Sequence, residues 1–189
     1  MENYMNRSVF AVLIFLAVLV PGVVWAHGAG VIAYTKIQGE TYVLLADHPD
    51  SDRGWGAFGG RTDGQPAGEA ALREFHEETR CVYRDTNIIL DEEKSAKTGR
   101  YVAYVVEVKF IPAYLFASIE DRPGCTGSQY QERGPWAWVP ASSLRESLAQ
   151  GNENAAIEKQ YLPSGHHGKL WHRAAENFQL AFDKGLIPH

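Results

Sequence analysis

The chain has 189 residues, enough for one domain with a proper core. With 18 basic against 23 acidic residues it carries a net charge of −5 at pH 7, which excludes the basic footprint of a nucleic-acid binder. Small phosphorylated molecules remain open as partners, because a metal and a few local cations suffice to handle them.

Residues 1–26 differ from the rest. Arg7 precedes an uncharged apolar run from Val9 to Val20, Pro21-Gly22 breaks it, and Val24-Trp25-Ala26 places small residues where a signal peptidase reads. The expectation is a secretory signal cleaved after Ala26, with the protein exported to a periplasm or the exterior. A single uncleaved membrane anchor is the alternative, although the run reaches about 18 residues only if Pro21 and Gly22 are counted, short for a span. Residues 27–189 then form the one folded domain, with no repeat or low-complexity tract. Export would put Cys81 and Cys125 in an oxidising compartment. They can pair, or stand as one buried and one exposed thiol, and no metal-ligand cysteine spacing is present.

Residues 30–35 and 41–46 are β-rich runs joined by Gln38-Gly39-Glu40, a hairpin signal. Residues 47–53 form a polar loop leading to Trp55. From Gly59 the chain reads GGRTDGQPAGEAALREFHEETRC. On a helix at about 100° per residue, Glu74, Glu77 and Glu78 share one arc of roughly 100°. Ala71, Leu72, Phe75 and Thr79 gather on a neighbouring arc and are expected to face a core. Carboxylates at i, i+3 and i+4 destabilise a helix by a few tenths of a kcal/mol per pair, at most about 0.5. A cation removes that repulsion, and carboxylate oxygens are hard ligands suited to Mg²⁺ or Mn²⁺. A solvated acidic face is the alternative.

Further on, residues 87–90 read as a short strand, 91–99 as a charged turn, and 100–108 as a long strand buried on both faces. Residues 111–133 form a long mixed loop of the kind that carries function. Glu132-Arg133-Gly134-Pro135-Trp136-Ala137-Trp138-Val139-Pro140 is a second informative stretch. Tyr101, Tyr104, Phe116 and Trp136 suit either a core or a face for stacking a base. Residues 142–148 read as a serine-capped helix. Residues 151–168 are polar, with His166 and His167 expected simply to meet water. Residues 169–184 place Leu170, Ala174, Phe178 and Ala181 at helical spacing, a packing helix ending at Gly185.

The stretch from Gly59 resembles the Nudix box, G-x5-E-x7-R-E-U-x-E-E-x-G-U with U a bulky aliphatic residue. Gly59 fits the first glycine, and Arg73, Glu74, Glu77 and Glu78 fit the R-E-x-x-E-E core in order. Gln65 stands at the first glutamate, Arg80 at the late glycine, and Phe75 and Cys81 at the aliphatic places. Arg80 there would cost on the order of 1–2 kcal/mol if the backbone is left-handed. Gln65 cannot ionise, which weakens any ligand or structural role of that carboxylate. The resemblance implies an α/β fold, an α/β/α sandwich with a mixed sheet. It implies Mg²⁺- or Mn²⁺-dependent hydrolysis of a pyrophosphate bond in a nucleoside diphosphate joined to another group. Glu74, Glu77 and Glu78 would hold the metal, Arg73 would orient a catalytic glutamate, and Glu74 or Glu132 would act as base. Gly59, Gly60 and Arg53 would meet the small-molecule nucleotide, with His48 and Arg53 either touching a phosphate or merely solvated. The proline and tyrosine that mark ADP-ribose and dinucleoside-polyphosphate hydrolases are missing near Ala96, Lys97 and Thr98, so no substrate is singled out. A Nudix-fold nucleotide-binding module without catalysis, motivated by Gln65 and Arg80, is the rival reading. A membrane-anchored interaction protein that uses the acidic face structurally is a third.

Overall fold

The computed structural model describes residues 26–118 and 123–189. The expected leader therefore lies outside the described residues, apart from Ala26. Among the described residues no helix is long and apolar enough to cross a membrane.

The longest strand, β1 (Gly28–Ile37), is the axis of the sheet. It returns through Gln38 (φ 52°) and Gly39 (φ 89°) into β2 (Glu40–Ala46), an antiparallel hairpin that pairs Tyr34 with Val43. A tight two-residue turn of this kind needs φ > 0 at both places, which is why a glycine sits there. β3 (Phe58–Arg61) pairs antiparallel with the first part of β1, Gly30 opposite Gly59. Thus β3 and β2 share one edge of β1 at successive levels. On its other edge β1 runs parallel to β5 (Tyr101–Glu107), which pairs with β4 (Ser95–Thr98). β6 (Trp136–Pro140) closes the far side against β2, giving the order β4-β5-β1-β2-β6.

Helices cover both faces. α1 (Ala67–Glu78) lies on one, burying Ala70, Ala71 and Phe75 in a cluster with Val31, Leu44, Phe58, Tyr104 and Trp136. α2 (Tyr114–Ser118) adds Phe116 to the same cluster. α3 (Ala141–Leu148) and α4 (His172–Asp183) cover the opposite face, where Leu144, Ala174, Phe178 and Ala181 meet Ile32, Val43, Val105 and Val139. The mixed sheet between helical layers is the expected α/β/α sandwich.

Several local expectations change. Residues 87–90 form no strand, and the supposed charged turn holds a 3₁₀ turn (Glu92–Lys94) followed by β4. The loop 111–133 contains α2 and a 3₁₀ turn (Ser128–Gln131). α3 begins at Ala141 with Pro140 at its N-cap, which has no side-chain acceptor, so the expected serine cap is absent and Ser143, inside the helix, donates to Glu158 Oε1 (2.7 Å). Leu72 is only half-buried, while Glu78 is buried. α4 starts at His172 and ends before Gly185 (φ 67°), so Leu170 packs from a β-bridge ahead of the helix. Cys81 and Cys125 are joined by a disulfide. Tyr104, Phe116 and Trp136 are core side chains rather than a stacking face.

Candidate active site

The helix α1 presents its acids to the bare backbone of β3. A cavity of about 1220 Å³ opens there, lined by Arg53, Gly59, Gly60, Arg73, Glu74, Glu77, Glu78 and Glu132. Every residue singled out as catalytic, metal-binding or substrate-binding thus reaches one place. Tyr101 lines it too, and its ring lies across strands whose glycines make room. A Cβ on Gly59 or Gly30 would collide with the Tyr101 hydroxyl, and one on Gly60 would fall on the Glu74 carboxylate.

Two guanidinium groups organise the acids. Arg73 Nη1 sits 2.9 Å from Glu74 Oε1 and 3.1 Å from Glu77 Oε2, so one cationic nitrogen draws both carboxylates together. Its Nε donates to Gln65 Oε1 (2.9 Å) and its Nη2 to the Arg61 carbonyl (2.9 Å). Gln65 therefore keeps a structural role: a neutral amide oxygen holds the arginine where an acid was expected. Burial raises the Glu74 pKa, Arg73 pulls it back, and the charges of Glu77 and Glu132 raise it further. Glu132, exposed on its loop, lines the same cavity as the acids of α1.

The second guanidinium was not legible in the sequence. Arg133 is 2 % exposed. Its Nε donates to the Asp47 carbonyl (3.1 Å), and its Nη2 to those of Ala46 (2.7 Å), Gly56 (3.1 Å) and Ala57 (3.2 Å). Its Nη1 reaches Glu78 Oε1 at 3.1 Å, while the Gly59 amide donates to Glu78 Oε2 at 2.7 Å. Burial pushes the Glu78 carboxyl up to about 7, against the opposing charge of Arg133 and the Gly59 amide. An arginine between a glutamate and a glycine reads as solvated, and only the folded chain shows it buried.

The polar loop also departs from expectation. His48 is half-buried, its Nδ1 2.6 Å from the Gly54 carbonyl and its ring 5.4 Å from Trp171. Burial, then the charge of Arg133, lowers its pKa to about 4, so it is neutral at pH 7 and offers a phosphate no charge. Arg53 is exposed with its guanidinium 5.3 Å over the Trp171 ring. Trp171, Arg173 and Asn177, from the start of α4, complete this wall of the cavity. His166 pairs with Asp47 at 3.5 Å rather than merely meeting water.

Among the described residues no three acidic, histidine or cysteine side chains are gathered tightly enough to hold a metal ion. The donor chemistry nevertheless fits a hard divalent cation at Glu74 and Glu77, whose oxygens already converge on one positive centre. Glu78 fits less directly, since Arg133 and Gly59 engage both its oxygens.

The NUDIX domain model matches residues 26–159. No curated protein matches the chain. Among solved structures, an Ap4A hydrolase of C. elegans in a binary complex is 19 % identical with a TM-score of 0.41, covering 66 % of this chain and 84 % of its own. The NUDIX domain of Shewanella oneidensis NrtR complexed with ADP ribose is 12 % identical with a TM-score of 0.49, covering 85 % and 88 %. A mutT/nudix family protein from Listeria innocua is 18 % identical with a TM-score of 0.42, covering 84 % and 92 %. These likenesses are distant, and none assigns a substrate.

Proposed function

This chain belongs to the NUDIX domain family, and from that premise we propose that it is a divalent-metal-dependent pyrophosphohydrolase acting on a nucleoside diphosphate linked to a second group. The observation that supports this most is the convergence of Glu74 and Glu77 on Arg73 Nη1 at the cavity, which Glu78 and Glu132 line as well. Glu74, Glu77 and Glu78 would hold Mg²⁺ or Mn²⁺, Glu78 by giving up its contact with Arg133. Bound there, the cation would supply neutralisation of charge developing on phosphate oxygens and acidification of a water. Arg73 orients the two carboxylates it bridges. Glu132, or Glu74, accepts the proton as the water's oxygen joins phosphorus and the bridging P–O bond breaks. The products are two phosphorylated fragments, one of them a nucleoside monophosphate when the bond cleaved lies between the two phosphates. Losing the positioned base would cost about 10²–10⁴ in rate. We also propose that residues 1–26 direct export.

The test is turnover by the full chain across nucleotide sugars, ADP-ribose and nucleoside triphosphates, with Mg²⁺, Mn²⁺ or chelator. Metal-dependent release of nucleoside monophosphate from the linked diphosphates is expected. Binding without turnover in any metal would replace the hydrolase with a nucleotide-binding module.

Gly60→Ala probes the acid cluster from the strand side. Its methyl would push the Glu74 carboxylate from its place. Turnover should fall on the order of 10²-fold, the cost of about 1 Å of misplacement. Unchanged turnover would mean that the position of Glu74 is immaterial to the chemistry.

A further inference from the structure

Just past α1 the chain does something a helix end normally avoids. Arg80 (φ 49°) and Cys81 (φ 58°) both take left-handed backbone, a conformation suited to glycine. Both side chains then reach into the segment that carries Glu132 and Arg133. Arg80 Nε donates to the Tyr130 carbonyl (3.2 Å), and its guanidinium stacks 5.0 Å over the Trp136 ring. Cys81 is bonded to Cys125. One turn on, Arg84 Nη1 donates to the Pro123 carbonyl (3.1 Å) and approaches Cys125 Sγ (3.3 Å). Trp136 Nε1 completes the bracing by donating to the Glu78 carbonyl (3.0 Å). Glu132 is two residues from Tyr130 and, unlike Arg133, has no hydrogen bond or ion pair fixing its own carboxylate in the structure described. Its place in the cavity that Glu74 lines is set by the segment beneath it.

We propose that Arg80 and the Cys81–Cys125 disulfide are positioning groups for the hydrolytic site, holding residues 123–133 so that Glu132 lines the cavity with the acids of α1, and that a dithiol reductant switches this off. The inference rests on the hydrolase reading for its catalytic consequence, and on the contacts above for its structural one. In the switching step a reductant thiolate attacks Cys125 Sγ, at the more exposed cysteine (9 % against 1 %), and the disulfide bond breaks with Cys81 leaving as a thiolate that takes a proton. The second thiol of the reductant then attacks the mixed disulfide, closing its own disulfide and releasing Cys125 beside the Arg84 guanidinium. Two electrons and two protons pass to the protein.

The experiment compares oxidised and dithiol-reduced full chain, and the Arg80→Gly, Glu132→Gln and Arg80→Gly/Glu132→Gln variants. It reads kcat and KM with Mg²⁺ and ADP-ribose or whichever linked diphosphate is turned over, and amide hydrogen exchange over residues 127–134. Glycine suits the left-handed backbone, so Arg80→Gly removes the staple without straining the helix end. A merely structural arginine there predicts unchanged kcat. The expectation is a fall in kcat of about tenfold to 10²-fold on reduction and in Arg80→Gly, with KM within about threefold. Neither change should lower kcat further once Glu132 is Gln, because the effects share one target. Exchange over 127–134 should quicken at least tenfold while β1 and β5 stay protected. Unchanged exchange on reduction and in Arg80→Gly overturns the proposal whether or not any substrate is cleaved. An equal fall in kcat in the Glu132→Gln background overturns it as well, since the clamp would then act elsewhere. Exchange that responds in a protein with no turnover at all leaves the positioning role standing and removes the hydrolase reading.

Discussion

Arg133→Met is expected to destabilise the fold by about 3–5 kcal/mol, the usual result of removing one partner of a buried ion pair. The methionine fills much of the space but leaves the carbonyls of Ala46, Asp47, Gly56 and Ala57 without their donor, and Glu78 without its cation. That is a large share of the roughly 5–15 kcal/mol by which a domain is stable. Denaturant unfolding in the presence of chelator measures it. The loss should also depend on pH. Glu78 is held near 7 in the folded chain against 4.5 as an ordinary glutamate, so the folded state binds its proton more tightly. Its contribution is complete below about pH 4.5 and is lost as pH rises through about 7. Without Arg133 nothing offsets the burial except the Gly59 amide, and the deficit should be larger at pH 8 than at pH 5. A deficit under about 1 kcal/mol, in the range of an exposed pair, would show that the guanidinium is not the organising group described.

Glu77→Gln should do the reverse, sparing the fold and abolishing the chemistry. Glu77 is a half-buried side chain whose contact with Arg73 is an i,i+4 pair, worth about 0.3–0.5 kcal/mol. The change also removes one of the like charges beside Glu74, so the thermal midpoint should hardly move. The amide replaces a hard anionic donor, and several kcal/mol of transition-state stabilisation go with it. Turnover should fall by about 10²–10³, at about 1.4 kcal/mol per tenfold. Isothermal titration with Mn²⁺ should show weaker binding in parallel. Turnover within about twofold of the parent would reject the proposed metal placement. Glu78→Gln would be a poorer probe, since that side chain is buried and braced on both oxygens.

What could be read in advance was what depends on local pattern. The Gln38-Gly39 turn, the acid-bearing helix and the strand from Tyr101 follow from residue type and period alone, and the structure has them. β4 was missed because Ser95-Ala96-Lys97-Thr98 has no strand pattern of its own; antiparallel pairing with β5 makes it one. The serine cap is absent because α3 begins ahead of both serines, with Pro140 at its N-cap. At the site, residues close in sequence were legible as a group. Arg133 and Trp171 were not, because their contacts come from strand ends and a helix far apart in the chain. The disulfide belongs with these, since spacing alone leaves pairing open.

The wall made by Trp171, Arg173 and Asn177 lies beyond residue 159, where the family match stops. The acids and the helix that could select what they act on are therefore separate parcels of sequence. Mutational drift in α4 can reshape the mouth of the cavity while the carboxylates of α1 stay in place. An engineer wishing to retarget such a protein has a twelve-residue helix to rewrite before touching Glu74, Glu77, Glu78 or Glu132. Relatives that keep the box and differ there should diverge in what they accept sooner than in how they react.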